Sequence, residues 1–268
     1  MLVQESMIEK ARQACEQDER VVAAVMYGSF ALGEGDAFSD IEFVLFFRDD
    51  ALPDLDQRAW VAQIAPVELY FADDFGHYTA IFDNLIRGEF HFEPASAMDQ
   101  VDSWQGSVFF PSLAASLILD RTGELTQRLE PLLVPPGDRC AHRRARALQM
   151  NFTNLMLFGS NVLARGEVAR SLEILSLAHR YLLWMARLVE GNTAHWPTPA
   201  RGLEKEISPA AYARYVACTA PADPPALRAA YQSAWAWGRE LMEAQAPTYG
   251  MAIPQTLAEK LAARLACS

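Results

Sequence analysis

Lysine is nearly missing from this chain. Lys10, Lys205 and Lys260 are the three among 268 residues, and acidic side chains outnumber basic ones 34 to 23, for a net charge of −11. Such a balance argues against a nucleic-acid backbone as the main partner, because affinity for phosphodiesters comes from clustered Lys and Arg. Cysteine is scarce and dispersed. Cys15, Cys140, Cys218 and Cys267 form no Cys-x-x-Cys, which disfavours a zinc site and, in the cytoplasm, leads to the expectation of reduced thiols. Although 51% of the residues are hydrophobic, no uninterrupted apolar run approaches the roughly 18 residues of a membrane span. The opening Met1-Leu2-Val3-Gln4-Glu5-Ser6 has neither a basic n-region nor an apolar h-region, so a cytoplasmic protein with no membrane partner is expected. Also missing are Gly-x-x-x-x-Gly-Lys-[Ser/Thr], Gly-x-Ser-x-Gly and His-Glu-x-x-His. Gly33-x-Gly35 lacks the third glycine and the strand context of a dinucleotide fold.

What is present concentrates in residues 28–42. The run Val21-Val22-Ala23-Ala24-Val25-Met26-Tyr27 is a short apolar segment ending in Gly28-Ser29, the pattern of a buried strand that breaks into a turn and a helix. Backbone N–H groups in such a turn can cradle phosphate, which marks Gly28 and Ser29 as candidate nucleotide contacts. In Asp40-Ile41-Glu42-Phe43-Val44-Leu45-Phe46-Phe47 the side chains alternate faces. Asp40 and Glu42 therefore project on one side, about 7 Å apart along the strand. Two carboxylates so placed can share Mg²⁺, a hard cation that takes carboxylates together with phosphate oxygens and water, and the pair implies a metal-bound nucleoside triphosphate. The bland reading is a surface turn followed by an edge strand with two solvated acids. Asp-x-Glu alone would be weak. Strand, Gly-Ser, ten intervening residues and Asp-x-Glu in that order are far more specific, and they resemble the signature of the polymerase-β-type nucleotidyltransferase superfamily.

Val3, Met7, Ala11 and Cys15 recur every four residues and predict an opening amphipathic helix. After the acidic strand, residues 49–54 read as loop, 55–64 as a helix, and 67–72, 78–82, 89–92 and 116–119 as strands. Asp120-Arg121-Thr122-Gly123 reads as a turn before a short helix. Pro131, Pro135, Pro136 and Gly137 then break the chain, predicting a first domain over 1–134 and a second over 138–268. In the second, Leu148, Phe152, Leu155 and Val162, then Val168, Leu172, Leu175, Leu182, Ala186 and Val189, follow helical spacing, with Arg165-Gly166-Glu167 as a joint. Ser208-Pro209 and Asp223-Pro224 each pair a capping side chain with proline at the first helical position, and Pro254 starts a last helix. Five amphipathic helices make a bundle. With the superfamily resemblance, the expected fold class is α+β: a polymerase-β-like N-terminal domain on a mixed sheet, then a C-terminal helical bundle. Trp184, Trp235 and Trp237 read as core ahead of ligand stacking.

A third catalytic carboxylate is expected on another strand. The stretch Phe82-Asp83-Asn84-Leu85-Ile86-Arg87-Gly88-Glu89-Phe90-His91-Phe92 offers two, of which Glu89 is better placed because Phe90 and Phe92 take the opposite face. Its bland reading is an exposed strand acid. Asp83 precedes a turn and can instead cap or brace it. His91, on the Glu89 face, fits a substrate contact or a structural hydrogen bond equally well.

Met26-Tyr27-Gly28-Ser29-Phe30, Gly33-Glu34-Gly35-Asp36, Ser39-Asp40-Ile41-Glu42-Phe43, the stretch 81–92, Arg165-Gly166-Glu167, Ala169-Arg170-Ser171-Leu172-Glu173 and Leu203-Glu204-Lys205-Glu206-Ile207-Ser208 resemble those of the lincosamide nucleotidyltransferases, specifically the type modifying the 3-hydroxyl. The similarity spans nearly the whole chain. It implies inactivation of lincomycin and clindamycin by transfer of AMP from ATP to a sugar hydroxyl, with release of pyrophosphate. It further implies that Asp40 and Glu42 hold magnesium, that Glu89 is the general base, and that the protein is a homodimer with its cleft near the subunit interface. One departure is Val44, which stands where the closest relative is expected to have tyrosine. Arg170 and Lys205 either reach phosphate from the helical domain or pair at the surface with Glu167, Glu173 or Glu206; Arg143-Arg144-Arg146 reads as a solvated helix face. Two other readings compete. An aminoglycoside nucleotidyltransferase would suit this acidic chain, since its substrate is a polycation. A nucleotidyltransferase-like antitoxin would bind a partner without turnover, but the full carboxylate set and the long helical domain weigh against it.

Overall fold

The computed structural model describes residues 1–74, 76–134 and 142–267, with 142 and 267 described by backbone alone. The expected break at Pro135, Pro136 and Gly137 lies outside them, as does Cys140. The chain divides into two compact units, Met1–Gly137 and Asp138–Ser268.

The first unit runs α1 (Val3–Gln17), β1 (Val21–Tyr27), α2 (Gly28–Ala31), β2 (Ile41–Phe47), α3 (Gln57–Val61), β3 (Val67–Ala72), β4 (Tyr78–Phe82) and β5 (Arg87–Pro94). A 3-10 stretch (Ala95–Trp104), α4 (Leu113–Ser116), β6 (Leu117–Asp120), α5 (Glu124–Leu129) and a final 3-10 turn (Glu130–Leu133) complete it. The strands form one six-stranded sheet in the order β3-β4-β5-β2-β1-β6. β2 and β5 pair in parallel and every other neighbour is antiparallel, so the sheet is mixed, as expected. A parallel pair needs a long crossover, here supplied by α3 and the β3–β4 hairpin.

Period-two alternation sorts β5: Gly88, Phe90 and Phe92 are buried, whereas Arg87, Glu89 and His91 are half-buried on the other face. Phe90 stacks on Phe43 at 5.7 Å between ring centroids, and Trp60 meets Phe92 edge-on. Met7, Ala11 and Cys15 bring the apolar stripe of α1 into the same core. Burial pushes the Cys15 thiol up to about 12, which makes it a packing group rather than a nucleophile. Arg121 donates to Val21 O at 2.8 Å and to Glu16 O at 2.9 Å, joining the end of α1 to the start of β1. The helix expected over 55–64 is shorter in the structure. Asp56 caps it by accepting from the Ala59 N–H at 2.9 Å.

The second unit is helical: α6 (His142–Ala164), α7 (Val168–Glu190), α8 (Leu203–Glu206), α9 (Pro209–Ala217), α10 (Pro224–Tyr249) and α11 (Gln255–Cys267). α6, α7, α9, α10 and α11 are the five expected helices, and α8 is one additional turn. Gly166 makes the joint between α6 and α7 in the left-handed region. Ser208 and Asp223 cap α9 and α10, accepting from the Ala211 and Ala226 N–H groups at 3.2 and 3.0 Å. Trp235 and Trp237 are core residues, and the half-buried Trp184 donates its indole N–H to Trp196 O at 2.7 Å. The arginine face of α6 is exposed but engaged, since Arg144 lies 5.3 Å over the Trp196 ring and Arg146 donates to Met251 O at 3.2 Å. Among the described residues no helix is long and apolar enough to cross a membrane.

Gly238 marks where α10 and α6 approach closely. A Cβ there would lie inside the van der Waals envelope of the Phe152 ring, which is fully buried and stacked on Trp235. Alanine would gain about 1 kcal/mol of helix propensity but overpack the core at a cost of about 1–3 kcal/mol. Gly238→Ala should therefore lower the thermal midpoint. An unchanged or raised midpoint would show that the two helices separate freely at this point.

Candidate active site

Four strands bring one polar row to a single face of the first unit's sheet. The parallel register sets Glu42 beside Glu89 and Val44 beside His91. β1 brings Tyr27 opposite Glu42, and β4 brings Thr79 opposite Glu89. Residues paired directly across strands share a face. Asp40 lies in the loop just ahead of β2 rather than within the strand, two residues before Glu42. Val44 is thus a buried apolar member of this polar row.

Gly28 explains how the row is seated. It opens the turn after β1 at φ +75°, and a Cβ there would fall within the Glu42 carboxylate. Glycine at this position permits the left-handed backbone and also leaves the space that the carboxylate occupies. Ser29, next to it, is buried, and its carbonyl accepts the Glu34 N–H at 2.8 Å.

Glu89 is the hub. The Tyr27 hydroxyl donates to its Oε1 at 2.6 Å and Arg87 Nη2 donates to its Oε2 at 2.7 Å. His91 Nε2 stands 3.2 Å from Oε1 and 2.8 Å from the Tyr27 oxygen. Tyr27 has a single proton and gives it to Glu89, so His91 must carry a proton on Nε2 to bond the phenolic oxygen. The other arm of Arg87 donates to Asp40 Oδ2 at 2.5 Å, so the guanidinium bridges two carboxylates. His77 Nδ1 is 3.8 Å from Glu89 Oε1, and its ring centroid is 4.2 Å from that of His91.

Burial works to raise the Glu89 carboxyl, but the hydrogen bonds from Tyr27, Arg87 and His91 outweigh it and hold the group at about 2. Burial, reinforced by the Glu89 carboxylate, pushes the Tyr27 phenol far up, so it stays a donor. Burial also lowers His91 despite the pull of Glu89. The site is an ionised carboxylate clamped by three donors beside two more carboxylates. Asp40 and Glu42 offer oxygen alone, the donor type of a hard cation such as Mg²⁺.

The predicted site residues fall into two groups. Gly28, Ser29, Asp40, Glu42 and Glu89 come together in the first unit. Arg170 and Lys205 belong to the second: Arg170 pairs with Glu167 at 3.0 Å and lies 5.4 Å over the Phe158 ring, while Glu206, next to Lys205, is held by the buried Arg187 at 2.6 Å. Asp83 is exposed in the β4–β5 turn, which Asn84 braces by accepting the Ile86 N–H at 3.1 Å. His91 makes the hydrogen bonds described above. Tyr27, Arg87 and His77 escape the sequence reading. Alternation signals Arg87, two residues before Glu89, but nothing local signals Tyr27 or His77.

Residues 8–83 match the family model of the nucleotidyltransferase domain, and residues 141–264 match that of the lincosamide nucleotidyltransferase-like C-terminal domain. The first match contains Gly28, Ser29, Asp40 and Glu42; the second contains Arg170 and Lys205. No curated protein sequence matches the chain. Among solved structures, an aminoglycoside 6-adenyltransferase from Bacillus subtilis is similar over the whole of both chains at 15% identity and a TM-score of 0.44. A nucleotidyltransferase-like protein from Exiguobacterium sibiricum 255-15 is similar over 98% of this chain and 88% of its own at 13% identity and a TM-score of 0.38.

The clamp on Glu89 has a consequence for stability. Because the folded carboxyl, at about 2, lies below its ordinary value of 4.5, the stability it contributes is present in full above that ordinary value and fades as pH falls toward 2. Glu89→Gln should flatten this part of the curve of urea midpoint against pH. A variant whose acid dependence matches the parent's would show that the clamp does not favour the ionised form.

Proposed function

The chain belongs to the nucleotidyltransferase family and carries a lincosamide nucleotidyltransferase-like C-terminal domain; from that premise we propose that it transfers AMP from ATP to a hydroxyl of lincosamides such as lincomycin and clindamycin, releasing pyrophosphate. The observation that carries this reading is the carboxylate row: Glu42 and Glu89 in register on adjacent strands, Asp40 just ahead of them, and Gly28 cut back to seat Glu42. Asp40 and Glu42 would hold Mg²⁺. Bound there, the ion would supply Lewis-acid charge to the phosphate oxygens.

The rest of the chemistry belongs to the chain's own groups. Backbone N–H groups at Gly28 and Ser29 are the donors for the β- and γ-phosphates. Glu89 takes the proton of the attacking hydroxyl, which must lie opposite the leaving oxygen for in-line displacement. A carboxylate held at about 2 is ionised at any working pH yet a weak base. Arg87 is the donor on Oε2, which leaves that oxygen a further lone pair for the acceptor hydroxyl, and any donor that Glu89 loses raises its basicity. Val44 presents no hydroxyl in this row, so that position contributes shape rather than a hydrogen bond to acceptor choice. The 3-hydroxyl as target, a homodimer and a cytoplasmic setting complete the proposal, supported by family resemblance and by the sequence.

An assay of pyrophosphate release with ATP, Mg²⁺ and separate acceptors tests it. Clindamycin and lincomycin should be turned over and kanamycin and tobramycin should not; the reverse pattern would favour the aminoglycoside reading, and no turnover with any acceptor would favour a binding protein. Asp40→Asn or Glu42→Gln should abolish turnover with the fold intact. Glu89→Gln should slow the chemical step by roughly 10² to 10⁴, the usual worth of a positioned base. Full activity in the carboxylate variants would overturn the assignment.

A further inference from the structure

We propose that His77, Glu89 and His91 form a second cation site, separate from the Asp40 and Glu42 pair, that takes a borderline transition-metal dication such as Zn²⁺. One donor atom from each of the three lies within 4.8 Å of the others. Glu89 Oε1 is 3.8 Å from His77 Nδ1 and 3.2 Å from His91 Nε2. Tetrahedral zinc, with bonds of about 2.0–2.2 Å, spaces its ligands roughly 3.3–3.5 Å apart, so these two separations already lie within about half an ångström of that geometry.

Glu89 and His91 come from β5, and His77 comes from the β3–β4 turn, one residue ahead of β4. The β4–β5 register sets Thr79 opposite Glu89 and Tyr78 opposite Phe90, and Asp73 fixes His77 just outside the ladder by accepting its N–H at 2.9 Å. Two imidazole nitrogens and one carboxylate oxygen, with a fourth position open, are the donor set of many catalytic zinc sites. Nitrogen donors select zinc over magnesium, whose preference for oxygen suits Asp40 and Glu42 instead. The Thr79 hydroxyl is buried with no hydrogen-bond partner among the described residues and shares this face, as a polar group available to a metal-bound water. Binding requires His91 to carry its proton on Nδ1 instead of Nε2, a change of tautomer without a change of charge.

The functional consequence rests on the reading above: zinc here engages the carboxylate that takes the hydroxyl proton, so it should inhibit transfer, and added Mg²⁺ should not relieve the inhibition. Binding itself does not depend on that reading. The test titrates untagged protein with Zn²⁺ against a chromophoric chelator and records the visible spectrum of the Co²⁺ form, in the parent and in three variants whose folding is checked by circular dichroism. We expect His77→Ala and His91→Gln each to weaken binding by roughly tenfold or more and to lose the Co²⁺ bands of nitrogen ligation, and Asp40→Asn to leave both unchanged. Unchanged binding in either histidine variant, or its loss in Asp40→Asn, would overturn the site. Tight binding without inhibition would leave the site standing and remove Glu89 from the reaction.

Discussion

Mutual repulsion among Asp40, Glu42 and Glu89 is the constraint around which the first unit's polar face is organised. Neighbouring strands lie about 4.8 Å apart, and two unit charges at that spacing repel by roughly 3 kcal/mol at an effective dielectric of 20. A parallel register that sets Glu42 beside Glu89 is therefore unfavourable unless cations or donors offset it. Arg87 does so by bridging Asp40 and Glu89, and Tyr27 and His91 add donors to Glu89. The aromatic face beneath, where Phe90 stacks on Phe43, fixes β2 and β5 so that the carboxylates cannot separate by sliding.

The same arrangement connects fold to chemistry. A guanidinium spanning Asp40 and Glu89 places positive charge beside the carboxylates from which the proposed reaction would also hold a metal. Arg87 and the ion would then compete for Asp40, and a donor freed from Glu89 leaves that carboxylate a better base. The low value of Glu89 is set by its three partners rather than by burial, which acts in the opposite direction. Gly28 contributes through absence of a side chain, since any Cβ would displace Glu42.

Much of this was legible in the sequence because it is local. Period-two alternation separated Glu89 from Phe90 and Phe92, and the cap and proline pairs at Ser208-Pro209 and Asp223-Pro224 marked the starts of α9 and α10, where Ser208 and Asp223 do cap. Alternation puts Arg87 and His91 on the face of Glu89, but Tyr27 and His77 were not legible, because they come from other elements: Tyr27 from β1, 62 residues away, and His77 from the turn just before β4. In the 3-10 stretch over Ala95–Trp104, Ala95, Met98, Val101 and Trp104 recur every third residue, a period that matches neither strand nor α-helix. Asp40 was expected on the strand and lies just before it, since one residue of fraying cannot be read from alternation.

The most direct test of the central claim, that this carboxylate row is a metal and nucleotide site, is a crystal structure with Mg²⁺ and a non-hydrolysable ATP analogue. The account predicts a metal ion bound by Asp40 and Glu42 and a triphosphate against the Gly28-Ser29 turn. A nucleotide bound elsewhere in the chain, or an ion that ignores both carboxylates while Arg87 still bridges Asp40 and Glu89, would contradict it.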